Sequence, residues 1–125
     1  KTINAATGGT ITLNSQTKAA DFTTDTAADL AAAFTGITSH TGNITLKEGV
    51  ASTVAELKTI NAATAGTITL NTETKAQNYS DTAVNLAAAF TGITTHEGTV
   101  EITGTNPTVS QLNAISGATS GATYK

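Results

Sequence analysis

Residues 1–57 of the chain are written out again at 58–112, and a third copy begins at 113 and stops at 125. KTINAATGGTITLN at 1–14 returns as KTINAATAGTITLN at 58–71, DTAADLAAAFTGIT at 25–38 returns as DTAVNLAAAFTGIT at 81–94, and NAISGATSGAT at 113–123 reopens the cycle. Repetition this close predicts one structural unit used again and again, so the chain reads as one continuous domain made of a first repeat (1–57), a second (58–112) and a partial third (113–125).

A single repeat has little with which to build a core. Its apolar residues are mostly Ala with a few Ile, Leu and Val, the aromatics are Phe22, Phe34, Phe90, Tyr79 and Tyr124, and there is no Trp or Met. Such a unit is expected to lean on its neighbours for stability. Lys1 occupies the position of Lys58, inside an apolar-periodic segment, so the chain is expected to be an excerpt from a longer one.

Each long repeat divides again into halves of about 28 residues, each opening on a helix-start signal. Ser-Thr-Val-Ala-Glu-Leu at 52–57 aligns with Asp-Thr-Ala-Ala-Asp-Leu at 25–30, Asp-Thr-Ala-Val-Asn-Leu at 81–86 and Pro-Thr-Val-Ser-Gln-Leu at 107–112. In a capping box the Thr hydroxyl accepts an orphan N–H of the first turn, while an acidic or amide side chain three residues on returns to the cap. Thr26/Asp29, Thr53/Glu56 and Thr108/Gln111 have that spacing, with Thr82/Asn85 a weaker version. Apolar residues then fall at helical intervals, as in Ala27, Leu30, Ala31, Phe34 and Ile37, and Gly36, Gly92 and Gly117 stand where a left-handed cap would end each helix. Leu30, Phe34, Leu57, Ile60, Leu86, Phe90 and Leu112 are the expected helix side of the core.

Alternating runs follow at 9–14, 43–47, 66–71 and 99–103, with Ile11/Leu13, Ile44/Leu46, Ile68/Leu70 and Val100/Ile102 pointing one way and Thr12, Thr45, Thr69 and Glu101 the other. Helix–strand units of about 28 residues with equivalent strands predict an α/β solenoid: one parallel sheet with these four strands side by side and helices on its apolar face. An all-β solenoid is the alternative. The segments 17–22 and 74–79 are additions before the next cap. Phe22 and Tyr79 are expected to tuck a ring over an edge there, and a second short strand would fit.

The D-T-A-x-x-L-A-A-A and T-V-x-x-L-x-x-I signatures resemble the Thr/Ala/Asn-rich tandem repeats of giant bacterial, cyanobacterial-type cell-surface and adhesin-like proteins. The resemblance covers the whole chain. It implies an architecture and an extracellular location and brings no site residues with it.

Chemistry-bearing residues are few. Six scattered Lys, no Arg and a net charge of −3 leave no basic stripe for phosphates, so nucleic acid is not an expected partner. No run approaches the ~18 apolar residues of a membrane span, and no signal-peptide pattern is visible in the chain as given. Zero Cys excludes disulfides and thiolate–metal sites. His40 and His96 are equivalent, but one His per repeat with no acid at a fixed offset does not converge on a metal, so both are expected as loop or turn histidines. Asp25, Asp29, Asp81, Glu48 and Glu56 raise the question of calcium; the nonapeptide and EF-hand spacings are missing, and several of these acids suit helix caps. No nucleophile elbow or recurring acid pair nominates a catalyst, and the Thr7-Gly8-Gly9 turn lacks a phosphate-loop lysine. The Thr-Ile-Thr runs at 10–12 and 67–69 could form rows spaced about 4.8 Å apart, as an ice-binding face requires, but Asn43 and Glu101 interrupt them. Asn43-Ile-Thr45 and Asn78-Tyr-Ser80 match the glycosylation triplet, which a chain rich in Asn and Thr produces by composition.

No catalytic, cofactor or metal residue is therefore expected. The chain reads as a stiff structural spacer within a long extracellular surface protein or fibre, its partners being neighbouring repeats or head-to-tail copies. The alternative is an adhesion module whose Thr-rich face contacts a glycan, ice or another cell surface.

Overall fold

The computed structural model describes residues 1–124, with the backbone alone from residue 120 on. In chain order the elements are α1 (Thr2–Ala6), α2 (Ser15–Ala19), α3 (Ala27–Phe34), β1 (Ile44–Thr45), α4 (Val54–Ala63), β2 (Ile68–Thr69), α5 (Thr72–Ala76), β3 (Tyr79–Thr82), α6 (Ala83–Phe90), β4 (His96–Thr103), α7 (Val109–Ala118) and β5 (Thr119–Tyr124).

The helices start where the local chemistry puts them. Thr53 and Thr108 form complete capping boxes with Glu56 and Gln111, each side chain bonded to the other's backbone N–H. At α3 the reciprocal bond is absent, because Thr26 Oγ1 turns to donate to Asp29 Oδ2 at 3.1 Å while accepting from the Asp29 N–H at 3.2 Å. The Thr82 cap of α6 is the long one, at 3.4 Å. Gly36 and Gly92 follow α3 and α6 in the left-handed region, at φ 76° and 78°. Gly117 does not end its helix, contrary to expectation: it lies inside α7, which runs on to Ala118.

The expected solenoid on one continuous parallel sheet does not form, and neither does its all-β alternative. Among the described residues the chain is an α/β domain with seven helices and two separate parallel sheets, β1-β2 and β3-β4-β5. Of the four segments expected side by side, 43–47 and 66–71 do meet, with Ile44 opposite Ile68 and Thr45 opposite Thr69. Segment 9–14 forms no strand. Segment 99–103 belongs to the other sheet, where Val100 lies opposite Tyr79 on one side and Ala122 on the other.

The physical cause of the break is the added segment between β2 and β3. There Asn71 and Thr74 are buried, and Asn71 Nδ2 donates to the carbonyls of Lys47 and Val50, at 2.6 and 2.8 Å. Those bonds tie the start of α5 to the segment that follows β1, so the chain turns into a helix after β2 and only then enters β3.

α1 packs on α3, α3 on α4, α4 on α6 and α6 on α7. Beneath them lies one core containing Leu30, Phe34, Ile44, Leu46, Leu57, Ile60, Leu70, Leu86, Phe90, Val100, Ile102 and Ile115. Leu112, Ile11, Leu13 and Ile68, all expected inside, are only half-buried and pack at its margin. Among the described residues no helix is long and apolar enough to cross a membrane.

Candidate functional site: two histidine cages and the seams beside them

The two histidines expected in loops are among the most buried side chains of the chain: His40 is 1% exposed and His96 3%. Each ring packs against two aromatic neighbours that also touch one another. His40 is 5.2 Å from Phe22 and 5.0 Å from Phe34, centroid to centroid, and those two rings meet edge to face at 5.6 Å. His96 repeats the arrangement with Tyr79 at 5.3 Å and Phe90 at 5.0 Å.

In both cages Nε2 faces a carbonyl, so that nitrogen carries the proton and donates: to Ala20 O at 2.9 Å from His40, and to Gln77 O at 2.8 Å from His96. The other nitrogens differ. His40 Nδ1 lies 3.0 Å from Thr64 Oγ1, whose one hydroxyl proton can go either to that nitrogen or to Gly42 O at 2.8 Å. His96 Nδ1 is buried without a hydrogen-bond partner, although Thr119 stands at the place of Thr64 and donates to Gly98 O at 3.1 Å. These cages were not legible in the sequence, because the aromatic partners lie some 18 residues before and six before each His and meet it only in three dimensions.

Burial pushes the His96 imidazole below its ordinary value; the Gln77 bond and the charge of Glu97 oppose this and do not reverse it. The unfolded chain therefore takes up a proton at this site near pH 6.5 while the folded chain resists it. Stability is expected to fall as pH drops from that value toward the lower folded pKa. Urea unfolding between pH 7.5 and 5 should show a loss that His96→Gln reduces; an unchanged slope in that variant would assign the acid sensitivity elsewhere.

The acidic residues considered for calcium are mostly occupied within the fold. Asp29 contacts Lys1 at 2.6 Å, which together with Thr26 holds its carboxyl below the usual range. Asp81 accepts from the Thr82 N–H at 2.7 Å and from Asn85 Nδ2 at 2.9 Å. Glu56 completes its capping box.

One pairing was not foreseen. Glu48, which accepts from the Thr72 N–H at 3.0 Å, comes together with Glu73, whose carboxyl is held low by the N–H groups of Gly49 and of Glu73 itself. Among the described residues no group of three or more His, Asp or Glu is placed to hold a metal ion.

A cleft of about 500 Å³ runs beside the second cage, past Lys75, His96, Glu97, Gly117 and Thr119. The outward strand residues Thr12 and Thr69 are exposed and Thr45 and Glu101 half-buried. Thr45 and Thr69 are partners across β1 and β2, but Glu101 lies on the other sheet and Thr12 in no strand, so no continuous Thr row forms across the expected four strands. Asn43 and Asn78, the glycosylation candidates, instead accept from the backbone N–H groups of Thr67 and Thr99, at 3.0 and 2.8 Å.

The polar side chains that recur between repeats bridge neighbouring helices. Asn4 Nδ2 donates to the carbonyls of Ala33 and Thr35, both at 2.8 Å, and Asn61 Nδ2 donates to those of Ala89 and Thr91, at 3.0 and 2.8 Å. Lys1 reaches Asp29, and its counterpart Lys58 reaches Asn85 Oδ1 at 2.8 Å. No protein-family model, curated protein or solved structure matches the chain.

Asn61→Ala leaves two carbonyls at the end of α6 without their donor and is expected to cost about 1–3 kcal/mol in urea unfolding. Asn4→Ala should cost less, because it unties only the five-residue α1.

Proposed function

We propose that the chain is a structural segment of a long extracellular surface protein or fibre, in which it acts as a stiff spacer. The observation that carries this reading is the use to which the repeated polar residues are put. Asn4 and Asn61, Lys1 and Lys58, and His40 and His96 all bond to elements about 20 to 30 residues away in sequence. Side chains held in this way resist sliding of one helix or strand past the next. The partners in this role are further segments of the same kind, continued in one chain or supplied by other molecules. The resemblance to surface-protein repeats agrees with the location.

The competing role, adhesion through the outward Thr residues, predicts the same side chains at the same outward places. The strand residues Thr45 and Glu101 instead occupy equivalent positions with different chemistry. A glycan array probed with the chain separates the two. No binding is expected; binding that disappears on Thr45→Ala and Thr69→Ala would replace the spacer with an adhesin.

A further inference from the structure

The two cages are built on equivalent residues, so each shows what the other lacks. Lys18, His40, Thr41, Asn61, Ala62 and Thr64 hold the places in the first that Lys75, His96, Glu97, Ser116, Gly117 and Thr119 hold in the second. In the first the polar groups are used inside the fold. Thr41 Oγ1 donates to Lys18 O at 3.1 Å, Asn61 Nδ2 donates to the carbonyls of Ala89 and Thr91, and Thr64 Oγ1 lies 3.0 Å from His40 Nδ1.

Beside the second cage the corresponding groups are unused, and there the cleft of about 500 Å³ opens between α5, the turn into β4 and the end of α7. Ser116 and Gly117 are smaller than Asn61 and Ala62, which takes bulk out of one wall. Glu97 puts a carboxylate where Thr41 has a hydroxyl bonded to its neighbour's backbone. Among the described residues neither the Glu97 carboxylate nor the Lys75 ammonium has an ion-pair or side-chain hydrogen-bond partner. His96, which forms part of the wall and is 3% exposed, keeps an acceptor nitrogen, Nδ1, without a donor. A buried polar atom left unpaired calls for a partner that the fold does not itself provide.

The charges are divided between the walls. Lys75 comes from α5. From β4 and α7 come groups that favour a cation: the Glu97 carboxylate, the acceptor side of His96, and the C-terminal end of α7 with its partial negative charge. A simple cation is attracted by the second wall and repelled by Lys75, and a simple anion meets the reverse. A molecule carrying both charges suits both walls.

We propose that this cleft binds a small zwitterion of the amino-carboxylate class, with the charge pattern of a free amino acid, its ammonium on the side of Glu97 and α7 and its carboxylate on Lys75. The volume is ample for such a molecule and falls in the usual range for small-ligand sites. Thr94, Thr95 and Glu97 are exposed, so solvent screens the contacts and the expected affinity is about millimolar. The site goes beyond the spacer reading and does not need it, and the glycan array does not probe it, so either can fail alone.

The test follows the amide signals of the full chain by NMR while each of the twenty common amino acids is added singly, up to roughly ten times the expected millimolar constant. At least one is expected to shift the signals of Lys75, Glu97, Ser116 and Thr119 saturably and to leave those of Lys18 and Thr41 in place. The N-acetyl and the carboxamide forms of that amino acid, each missing one charge, should bind about tenfold more weakly or worse, and so should the amino acid itself to Glu97→Gln or Lys75→Gln. Both variants should melt at the parent temperature, because neither side chain is bonded within the fold. No saturable shift with any of the twenty, as would follow if Lys75 and Glu97 pair directly with each other in solution, overturns the proposal. Binding that keeps its strength in both variants, or in both derivatives, overturns it as well.

Discussion

Gly42→Ala and Gly98→Ala are each expected to destabilise the chain severely, although the change is one methyl group. A Cβ at Gly42 would lie 2.1 Å from Ala20 O, and one at Gly98 would lie 2.1 Å from Gln77 O. Both obstacles are backbone carbonyls, and they are the same carbonyls that accept from His40 and His96. Displacing either one therefore disturbs a cage as well as a strand contact. Overpacking a filled interior usually costs ~1–3 kcal/mol, and with no flexible side chain to move aside these two belong at the top of that range or beyond it. Gly8→Ala is the matched control, since a Cβ there meets nothing within 4 Å and Ala already stands at the equivalent position 65. Thermal melts of the three variants test the ranking; a loss at Gly98 no greater than at Gly8 would mean that the close backbone approach is relaxed in solution.

What could be read from the sequence was local. The caps at Thr53 and Thr108 were legible because both partners of the box lie within one turn. So were the apolar helix faces, whose residues sit at helical spacing over a single element. Strand pairing was not legible, because an alternating run states which residues face inward and nothing about which strand lies alongside. Segments 9–14, 43–47 and 66–71 carry nearly the same residues; two of them pair with each other and the first pairs with none. The four residues of β3 contain only one large apolar side chain, Tyr79, so no alternation marked them, yet they capture β4. His40 and His96 sit among Thr, Ser, Gly and Glu, which reads as a turn; their burial follows from rings contributed by a helix and by the segment before it.

Phe90→Ala is expected to remove about 3–5 kcal/mol, a large part of the 5–15 kcal/mol that holds an ordinary domain together. Phe90 is fully buried and touches both partners of its cage, Tyr79 at 5.7 Å and His96 at 5.0 Å. Tyr79 cannot easily follow the collapse, because its hydroxyl donates to Ser52 O at 2.7 Å, and burial raises its pKa well above the ordinary phenol value. The void left by the ring is thus bounded by side chains that are tied elsewhere, the circumstance in which the cavity cost is largest. Phe34 occupies the equivalent place in the first cage, but its neighbour Phe22 is half-buried and has no hydroxyl to hold it. That ring can relax inward, so Phe34→Ala should cost less than Phe90→Ala. Urea unfolding of the two variants side by side measures the difference, and equal losses, or a larger one at Phe34, would show that the two cages are packed alike and that the Tyr79 hydroxyl bond does not hold the second one open.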